Sequence, residues 1–185
     1  LEWNDGAVDG AWKFLNRIWN LIEKQYKVIK ENIDLKDLDE DDKDLQRECH
    51  GTIKKITEDI SLYKFNTAIS SLMILMNSVD KYKFDKTNLV KQSIFNCVMR
   101  SVILLLSPFT PHICEELWHK IGSKEDSIVK VAWPTYDEKL LKKDIIEVVV
   151  QVNGKLRSKF NVAVDIAEEE IKRIALNDEG VKKWI

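Results

Sequence analysis

Cysteine is scarce: Cys49, Cys97 and Cys114 are odd in number and show no paired spacing. That argues against a disulfide framework and a zinc knuckle, and all three read as buried thiols. Long hydrophobic runs are missing too. No wholly apolar stretch is longer than that from Val102 to Leu106, which falls far short of the roughly 20 residues a membrane helix needs. No basic-then-apolar leader opens the chain, so a cytoplasmic protein with no membrane partner is expected. Neither sign of charge dominates: a formal net charge of −2 gives no global nucleic-acid signal, and any RNA contact must come from a local basic face. Phosphate loops, dinucleotide fingerprints, nucleophile elbows and His-Glu-x-x-His stretches do not occur, so catalysis has no visible home. His112, Cys114, Glu115 and His119 lie near one another in sequence, but the two histidines are two turns apart and lack a second ligand pair. No metal site is expected there; a capped helix start with a buried thiol accounts for the cluster.

What is present is a core-forming composition. The chain has 185 residues, 44% apolar and 32% charged, enough for a sizeable core in one or two domains. Its centre is Leu104 to Trp118, where the most apolar run meets a new helix across Pro108 and Pro111. Two prolines so close end the arriving helix, since each lacks an amide hydrogen and disfavours the α conformation in the residue before it. Thr110 then reads as an N-cap with Pro111 at the first helical position. Ile113, Leu117 and Ile121 form the apolar stripe, Trp118 stands beside it, and Gly122 is the stop.

From Val8 to Ile29, apolar residues at Val8, Ala11, Trp12, Leu15, Ile18, Trp19, Ile22, Tyr26 and Ile29 keep the helical period for about six turns. The opposite face gathers Lys13, Arg17, Lys24 and Lys27. Ile33 to Asp44 is acidic and reads as a solvated connection. A second helix follows from about Lys43 to Ile60, with Leu45, Cys49, Ile53, Ile56 and Ile60 inward and Arg47, His50, Lys54 and Lys55 outward. A third carries Phe65 to Val79, and a fourth runs from about Thr87 to Leu106. With the helix after Pro111 these make five, the pattern of an antiparallel bundle.

Beyond Gly122 the pattern changes. Ile128 to Ala132 reads as a short β-like piece and a polar helical candidate lies near Glu138. Ile145 to Val152 then meets Leu156 to Val164 across Asn153-Gly154, a strong hairpin signal. A two-residue loop would set Val148, Val150 and Val152 beside Lys159, Arg157 and Lys155. A three-residue loop, Val152 to Gly154, would instead put Ile146, Val148 and Val150 on one face with Leu156, Phe160 and Val162. The second is preferred, and it leaves Lys155, Arg157 and Lys159 in one row on the outer face. Asp165 with Glu168 reads as a capping box for a closing helix. The fold class is therefore mainly α: a helix bundle over 1–122, a connector over 123–144, and a small, incomplete β-β-α unit over 145–185. The chain reads as an excised piece of something longer.

Each candidate has a plain structural alternative. Trp12 and Trp19 could stack on bases, yet both sit on the apolar stripe, where core packing is favoured. Arg100, inside an apolar helix, could reach RNA or pair with Glu115 or Glu116. The basic face of the first helix could bind phosphate or only solubilise, which would leave a helical protein-interaction scaffold as the rival function.

The stretch Pro108-Phe109-Thr110-Pro111-His112-Ile113-Cys114-Glu115-Glu116-Leu117-Trp118 resembles the corner in the helical tRNA-binding domain of class I leucine, valine and isoleucine tRNA synthetases. Phe65-Asn66-Thr67-Ala68-Ile69, Leu75-Met76-Asn77 and above all Val150-Gln151-Val152-Asn153-Gly154-Lys155-Leu156-Arg157 are similar to the bacterial leucyl-tRNA synthetase family, as are Leu1-Glu2-Trp3 and Gly10 to Trp19. The resemblance implies a parent that joins leucine to its tRNA with ATP and Mg, through an aminoacyl-adenylate, and has separate catalytic and editing domains. The His-Ile-Gly-His and Lys-Met-Ser-Lys-Ser signatures are missing from this chain, so no cofactor is expected in it. It implies an anticodon-binding-type bundle that holds the body of leucine tRNA, acting as a monomer. The candidate tRNA-binding residues are Lys13, Arg17, Lys54, Lys155, Arg157 and Lys159, with no catalytic or metal residue.

Overall fold

The computed structural model describes residues 5–27, 38–122, 126–141, 145–164 and 166–184. The chain divides into two compact units, Leu1–Leu141 and Lys142–Ile185.

Five longer helices build the first unit: α1 (Asp5–Gln25), α2 (Glu40–Ser61), α3 (Phe65–Lys81), α4 (Leu89–Leu106) and α5 (Pro111–Lys120). Each follows the apolar period in the sequence, and their inner stripes merge into one core around Ile18, Ile56, Leu72, Met76, Phe95, Met99, Ile103 and Trp118. Burying such a side chain stabilises by about 1.5–3 kcal/mol relative to leaving it exposed. By length and composition α4 could cross a membrane, but 56% of it is buried inside the bundle, so it is the core helix on which the others pack.

The helix ends show why the elements stop where they do. α1 ends without a glycine cap. Instead two buried amides of α4 reach back: Gln92 Nε2 donates to the Gln25 carbonyl at 2.9 Å and Asn96 Nδ2 to the Lys27 carbonyl at 2.6 Å, satisfying acceptors that a helix end leaves open. The position expected for Ile29 lies outside the described residues. Thr110 does stand at the N-cap of α5 with Pro111 after it, but its hydroxyl makes no cap bond and lies 3.6 Å from Cys114 Sγ. Gly122, at φ 69°, follows α5 as expected.

Three expectations about the helices and the thiols need correction. Trp12 is not core: it is 62% exposed, and Phe14 is buried instead, because the inner stripe of α1 runs through Phe14, Ile18 and Ile22. The acidic segment is not wholly a solvated connection. Residues 28–37 lie outside the described residues, but Asp39 and Asp42 form a reciprocal capping box that starts α2, and Asp42 is buried. Cys97, unlike Cys49 and Cys114, is exposed.

The stretch expected to be a connector belongs to the first unit up to Leu141. Ile128–Lys130 is a 3₁₀ turn and not a β piece, with Glu115 accepting from the Ile128 amide at 3.2 Å and from the Ser127 hydroxyl at 3.1 Å. A short α6 (Glu138–Leu141) follows. The segment lies along α2, where Trp133 Nε1 donates to Thr57 Oγ1 at 2.9 Å and the Asp137 amide to His50 Nδ1 at 3.0 Å.

The second unit is a hairpin, β1 (Ile145–Val152) and β2 (Lys155–Ala163), then α7 (Glu168–Asn177) and α8 (Glu179–Lys182). α7 has Ala167 at its N-cap without a side-chain bond; the expected cap at Asp165 lies outside the described residues. The turn has two residues, Asn153 and Gly154, both left-handed at φ 53° and 73°, as a twist-matched hairpin turn requires. It closes the pairs Val152 with Lys155 and Gln151 with Leu156, after which a bulge shifts the register to Val150 with Ser158, Val148 with Phe160 and Ile146 with Val162. The preferred three-residue loop was thus wrong, while its pairing of even-numbered residues holds below the bulge. Leu156 falls outside it and is exposed.

Candidate nucleic-acid interface

The six candidate cations divide between the units. On α1, Lys13 pairs with Asp9 one turn earlier at 2.6 Å and stays exposed. Arg17 turns inward: Nη1 donates to Asn77 Oδ1 at 3.0 Å and Nη2 lies 2.7 Å from Asp80 Oδ2. Two groups of α3 thus occupy its guanidinium, and it acts as a strut between α1 and α3. Lys54, on α2, sits 5.5 Å from the centroid of the Tyr136 ring, where the 126–141 segment crosses that helix. Arg17 therefore faces α3 while Lys54 faces this segment, so the bundle cations do not share one neighbour.

Arg100 is another inward cation, with its guanidinium 4.5 Å from the centroid of the Trp118 ring and beside Tyr26, whose hydroxyl pKa is raised chiefly by burial and moderated by that guanidinium. The ion pair with Glu115 or Glu116, one of the two alternatives open from the sequence, does not form; Glu115 accepts from the 3₁₀ turn instead. Trp19 is partly buried against the core, with Lys120 Nζ 4.9 Å from its ring centroid. Lys120 also bonds Glu23 at 2.9 Å, and that hydrogen bond holds the Glu23 carboxyl below its usual range. Burial pushes the Cys49 and Cys114 thiols up to about 11, so neither is a thiolate at neutral pH.

On the hairpin the three cations do not form one row, because the bulge interrupts the alternation between Leu156 and Ser158. Lys159 stands opposite Val149 and Lys155 opposite Val152; both are exposed. Arg157 lies in the bulge, its guanidinium carbon 3.4 Å from the centroid of the Trp184 ring. The sequence reading missed α8 and Trp184. Asp178-x-Gly180 was the available signal: Asp178 Oδ1 accepts from the Gly180 amide at 2.8 Å, a local turn bond typical of Asp before Gly.

Exposed cations thus occur in each unit, Lys13 in the first and Lys155 and Lys159 in the second. The family profile for the anticodon-binding domain of tRNA ligase matches residues 42–172, from α2 into α7. The leucine–tRNA ligase of Thermotoga petrophila is 42% identical across the whole of this chain and 23% of its own length. That of Fervidobacterium nodosum is 44% identical over 97% of the chain and 22% of its own length, and that of Vibrio parahaemolyticus 42% over the whole chain and 21%. A crystal structure of a ternary complex of an Agrobacterium radiobacter LeuRS with tRNA and LeuAMS is similar in fold, with a TM-score of 0.75 at 26% identity, covering 99% of this chain and 24% of that one. The chain thus spans less than a quarter of the length of these relatives. It belongs to the family of anticodon-binding domains of tRNA ligases.

Proposed function

We propose that this chain is the tRNA-docking part of a leucine–tRNA ligase, holding the body of leucine tRNA while the parent attaches leucine. The observation that carries this is the unbroken family match from the bundle through the hairpin, supported by the tRNA in the similar solved complex. ATP and Mg belong to the chemistry of the parent ligase and not to this part of it. The chain works in the cytoplasm as a monomeric module. Its contacts are of the phosphate type, made by Lys13, Lys54, Lys155, Arg157 and Lys159, with Arg17 bracing the bundle. Such contacts position RNA without reading bases.

Binding to folded leucine tRNA over a salt series tests this, beside one tRNA with a changed anticodon and one with a disrupted elbow. Binding that weakens with salt, ignores the anticodon and needs the elbow supports body recognition. No tRNA binding even at low salt, with binding of a protein partner that persists in high salt, refutes it and favours a protein-interaction scaffold. In the full-length ligase, Lys155→Glu with Arg157→Glu should weaken tRNA binding and leave leucine activation intact; equal loss of both would refute the hairpin's role.

A further inference from the structure

The five arginines meet different fates. Arg17, Arg47 and Arg173 each reach a carboxylate, and Arg100 lies over Trp118. Arg157 has no carboxylate partner among the described residues. It is nevertheless held firmly: its guanidinium stacks on Trp184 at 3.4 Å, and its Nε is buried without a hydrogen-bond partner. A charged group fixed in place and given no internal counter-charge is costly unless something outside supplies the anion.

The surrounding backbone is built for that stack. The bulge takes Arg157 out of the strand alternation. Gly180 passes so close that a Cβ there would sit 2.7 Å from the Arg157 carbonyl oxygen, which only glycine permits. Val181 is buried, and the Trp184 amide donates to its carbonyl at 2.9 Å, so α8 carries the indole to its place. Trp184 itself remains 53% exposed, more than a side chain serving only the core would be.

We propose that Trp184, carried by α8 against the bulge, is a positioning residue that holds the Arg157 guanidinium as a fixed fork for one backbone phosphate of bound RNA, a role that rests on the tRNA-docking function proposed for this chain. A planar guanidinium stacked on an aromatic face keeps its edge available for two parallel bonds to phosphate oxygens, and little rotamer freedom is left to lose on binding.

The test is a double-mutant cycle on tRNA binding by the 185-residue chain. Trp184→Ala should weaken binding about three- to tenfold and flatten the dependence of log K on log salt by up to about 0.7–0.9, one phosphate's share. In an Arg157→Ala background the same change should cost nothing further. Trp184→Phe, which keeps an aromatic face, should retain most of the affinity, and Trp184→Leu, which keeps only bulk, should not; this pair decides the matter where Trp184→Ala unfolds the unit. Equal binding by the Phe and Leu variants, or losses that multiply in the double variant, would overturn the proposal while tRNA docking stands. Failure of the unsubstituted chain to bind tRNA would overturn both.

Discussion

Lys91→Met removes one charge from a network that joins three helices. Lys91 Nζ lies 2.7 Å from Asp39 Oδ2 and 3.1 Å from Asp42 Oδ1, and the Tyr82 hydroxyl donates to Asp42 Oδ1 at 2.6 Å. The start of α2, the end of α3 and the first turn of α4 meet at these atoms. The side chains of Asp42 and Lys91 are 4% and 13% exposed, whereas Asp39 is 53% exposed. Methionine keeps most of the stem's packing, so the loss is mainly electrostatic. Breaking a buried pair costs about 3–5 kcal/mol. Asp39 recovers water and the Tyr82 bond survives, so about 2–3 kcal/mol is the expected loss at pH 7, or about 4–12 °C in Tm.

Urea unfolding followed by helical circular dichroism measures it, and adding Asp42→Asn to Lys91→Met should restore part of the loss by removing the stranded charge. The hydrogen bond from Lys91 is the chief cause that holds Asp39 below the usual carboxylate range. That stabilisation is present above the unfolded Asp pKa of about 3.9 and is lost as pH falls through the folded value. Lys91 is itself shifted up; desolvation opposes the shift, and the two aspartates outweigh it. Its contribution is present below about pH 10.4 and is lost as pH rises through the folded value. The variant should lack the alkaline limb and keep only a shallower acid limb, since the Asp42 amide still holds Asp39 down. A loss under about 0.5 kcal/mol at pH 7, the size of an ordinary surface substitution, or a double variant less stable than Lys91→Met, would refute the account.

Arg17→Met should lower stability by about 1–2 kcal/mol, since its half-buried guanidinium serves α3, and should leave the salt slope of tRNA binding unchanged; a flatter slope with unchanged stability would return Arg17 to the phosphate ligands. Burial lowers the His50 pKa, with the Asp137 carboxylate opposing, so the neutral ring's contribution is complete above about pH 6.5 and fades as pH falls through the folded value. Because protonated Nδ1 cannot accept the Asp137 amide, hydrogen exchange at that amide, corrected for intrinsic rate, should lose protection at pH 5 relative to pH 7.5; unchanged protection would refute the link.

The five helices are legible in the sequence because their apolar period is strong and the two prolines of the corner act locally. Burial at single positions is less so. Trp12 and Phe14 both lie near the edge of the apolar arc of α1, and only the neighbours of that helix decide which turns inward. The hairpin's bulge is illegible for a similar reason: Asn153-Gly154 specifies the two-residue turn correctly, but the shift at Arg157 accompanies the docking of α8, whose first residue, Glu179, lies far along the chain. Asp42 looked solvated since its partners, Tyr82 and Lys91, are 40 and 49 residues away.

The same long-range pairing explains why a net charge of −2 carries little information about RNA. Several cations are paired within the fold, Lys83 with Asp41, Arg17 with Asp80 and Lys120 with Glu23 at the surface, and Lys91 with the buried Asp42. A polyanion competes only weakly for a lysine that already holds a buried carboxylate, since freeing it strands that carboxylate. What matters is which cations lack such a partner. Among the described residues Lys155 and Arg157 have none, as Lys24 and Lys54 have none, but these two lie within three residues of a tight turn that leaves their backbone little freedom to search. Cations with no internal anion, held on a short hairpin, lose little entropy on meeting phosphate, so the proposed affinity for RNA should depend on them more than on Lys13 and Arg17 of α1, which hold carboxylates.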